Sequence, residues 1–151
     1  MEDRKERRPA KRSTRAIGAK GERAARRFLK RNGYRIIGKN YRAAHGEIDI
    51  IAWDKRDKRT VFVEVKSRKD NPESIQKYGR AAAAVNTKKR TRFLTAVQAY
   101  QREHPESRKC RIDIMEVYFP LKFGLFAKPR IVHLRSAFGM ESFKPRTLRS
   151  R

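Results

Sequence analysis

Two carboxylates that interrupt the most apolar part of this chain are the residues best placed to do chemistry. Asp49 lies in Gly46-Glu47-Ile48-Asp49-Ile50-Ile51-Ala52-Trp53, and Glu64 in Thr60-Val61-Phe62-Val63-Glu64-Val65-Lys66-Ser67. A charged connection from Asp54 to Arg59 joins them. A solvated face would usually carry Thr, Lys or Ser at such positions. Two converging carboxylates form a hard-oxygen site, which suits Mg2+ or Mn2+ better than zinc, an ion that prefers His and Cys. Lys66, two residues after Glu64, points to the same side, where an ammonium can orient or help deprotonate an attacking water and offset phosphate charge. These are the ingredients of metal-assisted phosphodiester hydrolysis.

Whether the two carboxylates meet depends on strand register. Both flanks are rich in β-branched and aromatic residues with alternating character, so the spacing predicts two antiparallel strands in a hairpin. Alternation puts Glu47, Asp49 and Ile51 on one face and Ile48, Ile50 and Ala52 on the other. On the second strand Val61, Val63 and Val65 share a face opposite to Phe62, Glu64 and Lys66. A hairpin centred between Arg56 and Asp57 sets Asp49 across from Glu64 and Glu47 across from Lys66. A slip of one residue would turn the valine row out of the core, so the first register is expected. Opposed carboxylates about 5 Å apart repel by roughly 3 kcal/mol at an effective dielectric of about 20, and a divalent cation is the natural offset. The plain alternative is an exposed cross-strand ion pair between Glu47 and Lys66, because a Glu-x-Lys triplet alone is unsurprising in a chain with 38% charged residues.

The elements around the hairpin must position these groups. Ile17, Ala24, Ala25, Phe28 and Leu29 repeat at helical spacing from about Arg15 to Asn32, with Asn32-Gly33 as a stop. Arg23, Arg26, Arg27, Lys30 and Arg31 gather on the opposite side, and Glu22 falls beside the apolar stripe. Glu22 either reaches over the sheet edge or pairs with Arg26 at i,i+4. Tyr34 to Tyr41 reads as a first strand, and Arg42 to His45 as its connection to the hairpin. Asn71-Pro72 is a breaker, and no element is evident from Glu73 to Arg80. Asn86 or Thr87 caps a helix that ends at His104-Pro105 and buries Phe93, Leu94, Val97 and Tyr100. Its first turns carry Lys88, Lys89 and Arg92; cations there oppose the helix dipole, so a bound phosphate would make sense of them. Arg68 and Lys69, just past the hairpin, and Arg42, just before it, are the other candidate phosphate contacts. Lys109 to Phe119 and Ile131 to Leu134 read as two further strands. Leu121, Phe123, Leu125 and Phe126, between Pro120 and Pro129, either pack a partner subunit in a homodimer or cover the core.

Composition sets the bounds. The 151 residues fit one domain, and 41 Lys and Arg against 16 Asp and Glu leave a net charge of +25. That charge calls for a polyanionic partner, nucleic acid first. No apolar run approaches the about 18 residues of a membrane span, and no signal-like apolar core is expected at the N-terminus. The single cysteine, Cys110, rules out an internal disulfide and fits a reducing cytoplasm. Residues 1–15 read as a disordered basic arm, 16–139 as the domain and 140–151 as a basic tail.

Asp49 followed by Glu64-Val65-Lys66 resembles the Asp…Glu-x-Lys signature of the restriction-endonuclease-like nucleases. The wider pattern resembles one branch of them, the YraN-like uncharacterised protein family, which is similar in turn to archaeal Holliday junction resolvases. The matching pieces include Gly18-x-x-Gly21-Glu22-x-x-Ala25, Gly33-Tyr34, Asn40-Tyr41-Arg42, Gly46-Glu47-Ile48-Asp49, Val61 to Lys66 with Arg68, Val85 with Lys89, Arg111-Ile112-Asp113 and Ala137-Phe138. The resemblance implies a restriction-endonuclease-like αβα sandwich with a mixed central sheet. It also implies that the Val65 backbone carbonyl joins Asp49 and Glu64 as a metal ligand, with Glu22 and Glu47 as auxiliary acids.

The expected function is therefore that of a Mg2+- or Mn2+-dependent endonuclease acting on DNA, with branched or junction DNA suggested by the resemblance alone. The alternative is a non-catalytic nucleic-acid-binding protein, on DNA or associated with RNA and the ribosome, built on a nuclease-like scaffold.

Overall fold

A computed structural model describes residues 11–121 and 128–140. The chain runs α1 (Lys11–Arg31), β1 (Tyr34–Ala43), β2 (Gly46–Asp54), β3 (Arg59–Lys69), α2 (Pro72–Tyr78), a 3-10 turn (Ala81–Ala84), α3 (Thr87–Glu103), a second 3-10 turn (Pro105–Arg108), β4 (Cys110–Phe119) and β5 (Arg130–Leu134). The strands form one sheet in sequential order. All neighbours are antiparallel except β3 and β4, which are parallel because the chain crosses over between them through α3. The expected αβα sandwich with a mixed sheet is what the chain adopts.

Each face of the sheet has its own core. Ala25 and Leu29 of α1 pack with Val61, Val63 and Val65 of β3 and Met115 and Val117 of β4. On the other face Phe93, Leu94 and Val97 of α3 pack with Ile51, Phe62, Ile112 and Ile114. The valine row is buried against α1, as the register argument requires.

Several boundaries differ from the sequence reading. Helix α1 begins at Lys11 rather than near Arg15, so the last residues of the expected arm are helical. Strand β1 continues through Ala43, leaving only Ala44 and His45, both at positive φ, for the turn into β2. The stretch without an expected element contains α2, started by Pro72 in its first turn and by the Asn71 side chain, which accepts from the Glu73 N–H at 3.1 Å. The rest of the basic arm, the C-terminal tail beyond Met140, and Phe123, Leu125 and Phe126 lie outside the described residues. Leu121 is exposed.

The end of the sheet near the start of β3 is held by a buried polar network. The Arg111 guanidinium donates from Nε and Nη2 to Asp113, from Nη1 to Asp54 and Asp57, and from Nη2 to the Tyr34 hydroxyl, all between 2.8 and 3.1 Å. Burial alone would raise the Asp113 carboxyl, but hydrogen bonds from His133, Arg111 and the Ser136 N–H outweigh it and hold it below the ordinary value. At Asp54 burial is likewise outweighed, by the Asp57 N–H, Arg111 and the Arg56 N–H. Asp113 is thus a structural residue: it pairs with Val63, one position before Glu64, but its carboxylate is taken up by Arg111, His133 and the Ser136 N–H.

Replacing Arg111 with Met leaves Asp54 and Asp113 buried without their cation, and the expected loss of stability is about 3–5 kcal/mol by urea unfolding near neutral pH. Because both carboxyls have depressed folded pKa values, their contribution is present above the ordinary value of 3.8 and lost as pH falls through the folded values. The gap between wild type and Arg111→Met should therefore narrow on acidification.

Candidate functional site: carboxylates at a forked sheet

The site exists because the sheet opens between β2 and β3. Their pairing runs from Asp54–Arg59 to Ile50–Val63, which is the expected register and carries Asp49 across from Glu64. Beyond that point β2 stays paired with β1 as far as Gly46–Ala43, and β3 with β4 as far as Lys69–Phe119. The Val65 N–H donates to Asp49 Oδ2 at 2.7 Å, so a side chain takes a backbone donor where the strands part.

Two glycines let the prongs of this fork separate. A Cβ at Gly46 would overlap the backbone carbonyl of Arg92 in α3, so the start of β2 leans on α3. A Cβ at Gly21 would overlap the Ser67 side chain, so the end of β3 leans on α1. The Ser67 hydroxyl is buried there without a hydrogen-bond partner. The parting corrects one expectation: Ile48 packs with Ile51 in the α3-side core, whereas strict alternation groups it with Ile50 and Ala52. Asn40 of β1, level with Asp49 between the Lys39–Ile50 and Tyr41–Ile48 pairs, takes φ 50, which Asn tolerates better than most residues.

A cavity lies on each side of the fork, and Glu47, Asp49, Glu64 and Lys66 line both. The one toward α3 has a volume of about 550 Å³ and is bordered by Arg42, His45, Lys89 and Arg92. The one toward α1, about 680 Å³, is bordered by Ile17, Gly18, Glu22, Arg68, Lys69, Asn71 and Leu121. The structure thus brings together Glu22, Glu47, Asp49, Glu64 and Lys66, with five of the six expected phosphate contacts around them. Lys88 is exposed on the first turn of α3 and lines neither cavity.

The electrostatics are those of crowded, partly buried acids. The Asp49 carboxyl is pushed up to about 8, first by burial and then by Glu64 and Glu22, against the lowering effect of the Val65 N–H. Glu22 is also raised, chiefly by burial, with Glu47 and Glu64 adding to it and Arg26 opposing. Arg26 is thus near enough to act on Glu22, but it does not remove Glu22 from the acidic cluster. The Lys66 ammonium lies 2.8 Å from Glu64 Oε1, and Arg42 Nε 3.5 Å from Glu47 Oε1. The simple cross-strand Glu47–Lys66 pair is therefore not the arrangement found. Among the described residues no three His, Cys, Asp or Glu side chains are already drawn together as metal ligands. An all-oxygen donor set, with an acid pushed up to about 8 by burial and its acidic neighbours, nonetheless fits a hard divalent cation.

One buried acid beside the site escaped the sequence reading. Glu116 pairs with Lys66 in the β3–β4 ladder and is fully buried. It accepts from Arg80, the Ala82 N–H and the Tyr118 hydroxyl, which pins the 3-10 turn before α3 to the sheet. Its signal was available: like Asp49, it interrupts an apolar strand.

Fold and site together define an αβα protein with a carboxylate–lysine cluster at a forked mixed sheet. The chain belongs to the uncharacterised protein family UPF0102, whose profile matches residues 21–117, from Gly21 and Glu22 through the whole carboxylate–lysine cluster. It is similar to UPF0102 proteins of Burkholderia pseudomallei strain 668 and Burkholderia mallei strain NCTC 10229, each 36% identical over 126 residues, 83% of this chain and 77% of the relative. A UPF0102 protein of Ralstonia nicotianae is 35% identical over 128 residues, 84% of this chain and 89% of that one. Among the described residues no helix is long and apolar enough to cross a membrane.

The strained acid yields a stability test. A group whose folded pKa is raised stabilises fully below its unfolded value and loses that contribution as pH rises through the folded one. Wild type should therefore be weakened between the ordinary 3.8 and about 8. Asp49→Asn, which keeps an acceptor for the Val65 N–H, should be more stable than wild type by about 1–3 kcal/mol in chelator at mildly alkaline pH, with the gain shrinking toward acid. Urea unfolding at the two pH values checks it.

Proposed function

We propose that this protein is a Mg2+- or Mn2+-dependent endonuclease that hydrolyses phosphodiester bonds in DNA. The observation that carries the reading is the juxtaposition of Asp49 and Glu64 beside Lys66, in a groove whose other walls supply Arg42, Lys89 and Arg92. Asp49, Glu64 and the Val65 carbonyl would hold the cation, which when bound supplies positive charge to polarise a phosphoryl oxygen and to acidify water. The protein's own groups do the rest. Lys66 orients the attacking water and offsets charge that develops on the phosphate. Arg42, Lys89 and Arg92 on one side, and Arg68 and Lys69 on the other, hold the backbone so that the scissile phosphate lies over the fork, which makes attack effectively unimolecular. Glu22 and Glu47 add acidic charge at the margins of the site. Arg68 is steadied for this role, since its Nη1 donates to the Gly79 carbonyl at 3.2 Å.

A non-catalytic nucleic-acid-binding protein is the second reading, favoured by the net charge of +25 alone. The carboxylates separate the two, because acids aimed at phosphates only weaken a pure binder. In the nuclease, Asp49→Asn and Lys66→Ala each abolish metal-dependent cleavage, a loss of about 100-fold or more, while duplex binding persists. Labelled single-stranded, duplex and four-way-junction DNA incubated with Mg2+, Mn2+ or chelator is the assay. Tight binding without cleavage in any metal, preserved or strengthened by Asp49→Asn, would leave only the binding protein.

A further inference from the structure

Helix α1 carries a second cationic surface on the side away from the fork. Gly21, Ala25 and Leu29 face the sheet and are buried. At about 100° per residue, Arg23, Arg27, Lys30 and Arg31 fall within roughly 60° of the opposite direction, and all four are exposed. Among the described residues none of the four forms an ion pair. The helix contains one acid, Glu22, and that side chain lies on the flank turned to the site. Arg27 and Arg31 also border a shallow groove with Lys128, which extends the patch past the helix. The cations of α3 that line the fork belong to the opposite layer of the sandwich, so the two basic surfaces are separate.

A solvated charged face is the usual explanation of such a row, but two features argue against it here. Arg23, Arg27 and Arg31 follow one another at i,i+4, where like charges destabilise a helix by about 0.2–0.5 kcal/mol per pair. The helix dipole favours Lys30 and Arg31 in the last turn, yet it gives nothing to Arg23 and Arg27 in the interior. A polyanion laid along the row relieves this repulsion. From Arg23 to Arg31 the helix rises about 12 Å, a length over which a duplex presents roughly seven phosphate charges. A membrane surface fits less well: an interfacial helix offers lipid an exposed apolar face, and the apolar face of α1 is buried in the core.

We propose that the outer face of α1, centred on Arg23, Arg27, Lys30 and Arg31, is a second nucleic-acid-binding surface that holds a duplex by its phosphate backbone while another segment crosses the fork. The protein then bridges two segments. The inference rests on the reading that nucleic acid is the partner; it does not need cleavage.

The test is a bridging assay in chelator. The full chain is loaded on an immobilised duplex and challenged with a second, labelled duplex, for wild type, for Arg23→Ala/Arg27→Ala/Lys30→Ala and for the same three positions changed to Lys or, at Lys30, to Arg. Alanine removes repulsion and favours helix, and circular dichroism verifies that the variant is folded. Wild type and the charge-conserving variant should retain the second duplex, and the alanine variant should retain at least about tenfold less while still binding the first; the salt slope of its duplex binding should fall by about 3. Equal retention by the alanine variant, or capture of anionic phosphatidylglycerol vesicles in place of the second duplex, overturns the proposal and leaves the fork's reading intact. Failure of wild type to hold even the first duplex overturns both.

Discussion

The bond from the Val65 N–H to Asp49 Oδ2 is the interaction on which the architecture turns. A strand that leaves its partner in mid-sheet must place its backbone donors elsewhere, and an unsatisfied buried N–H costs about 1–3 kcal/mol. Asp49 supplies the acceptor. That lets β2 lean toward α3 at Gly46 and β3 toward α1 at Ser67, and it opens a cavity on each side. The residue that makes the fork tolerable is also the first acid of the cluster, so building the groove and loading it with charge are one act.

The cost of this arrangement falls on Asp49. Its burial first, and then its neighbours Glu64 and Glu22, oppose ionisation, and one N–H does not offset them. The other end of the sheet makes an instructive contrast. There Asp54, Asp57 and Asp113 also converge, but around the Arg111 guanidinium, and the Asp54 and Asp113 carboxyls are held down rather than pushed up. Three acids with a built-in cation form a structural clasp. At the fork the lysine reaches only Glu64, and under the proposed function a bound cation would balance the remaining acids. The difference in charge balance, more than the presence of acids, sets the candidate site apart from the scaffold.

Much of this was legible in the sequence because burial enforces it. The row Val61, Val63 and Val65 needs a core, and only one hairpin register gives it one; that register brings Asp49 to Glu64. The αβα layering follows from two amphipathic helices on either side of a strand-rich centre. The parting of the strands was not legible, because Gly46 and Gly21 read as ordinary small residues until α3 and α1 are seen to press on them. Alternation groups Ile48 with Ile50 for the same reason: it assumes a strand paired on both sides, and β2 keeps β1 but loses β3 there. The pairing of Lys66 with Glu64 rather than Glu47 is a rotamer choice that strand geometry leaves open. Glu116 was readable by the rule that found Asp49, but its partners come from the far side of the crossover, at Arg80 and Ala82.

The central claim is that the carboxylate cluster is a cation site held partly protonated in the cation's absence. Isothermal titration calorimetry of the full chain with Mg2+ and Mn2+, repeated near neutral pH in buffers of different ionisation enthalpy, counts the protons released on binding. The account predicts one cation site, lost in Asp49→Asn, whose filling releases about one proton, because a group with a folded pKa near 8 must give up its proton to become a ligand. Binding without proton release, or no binding of either ion, would contradict it.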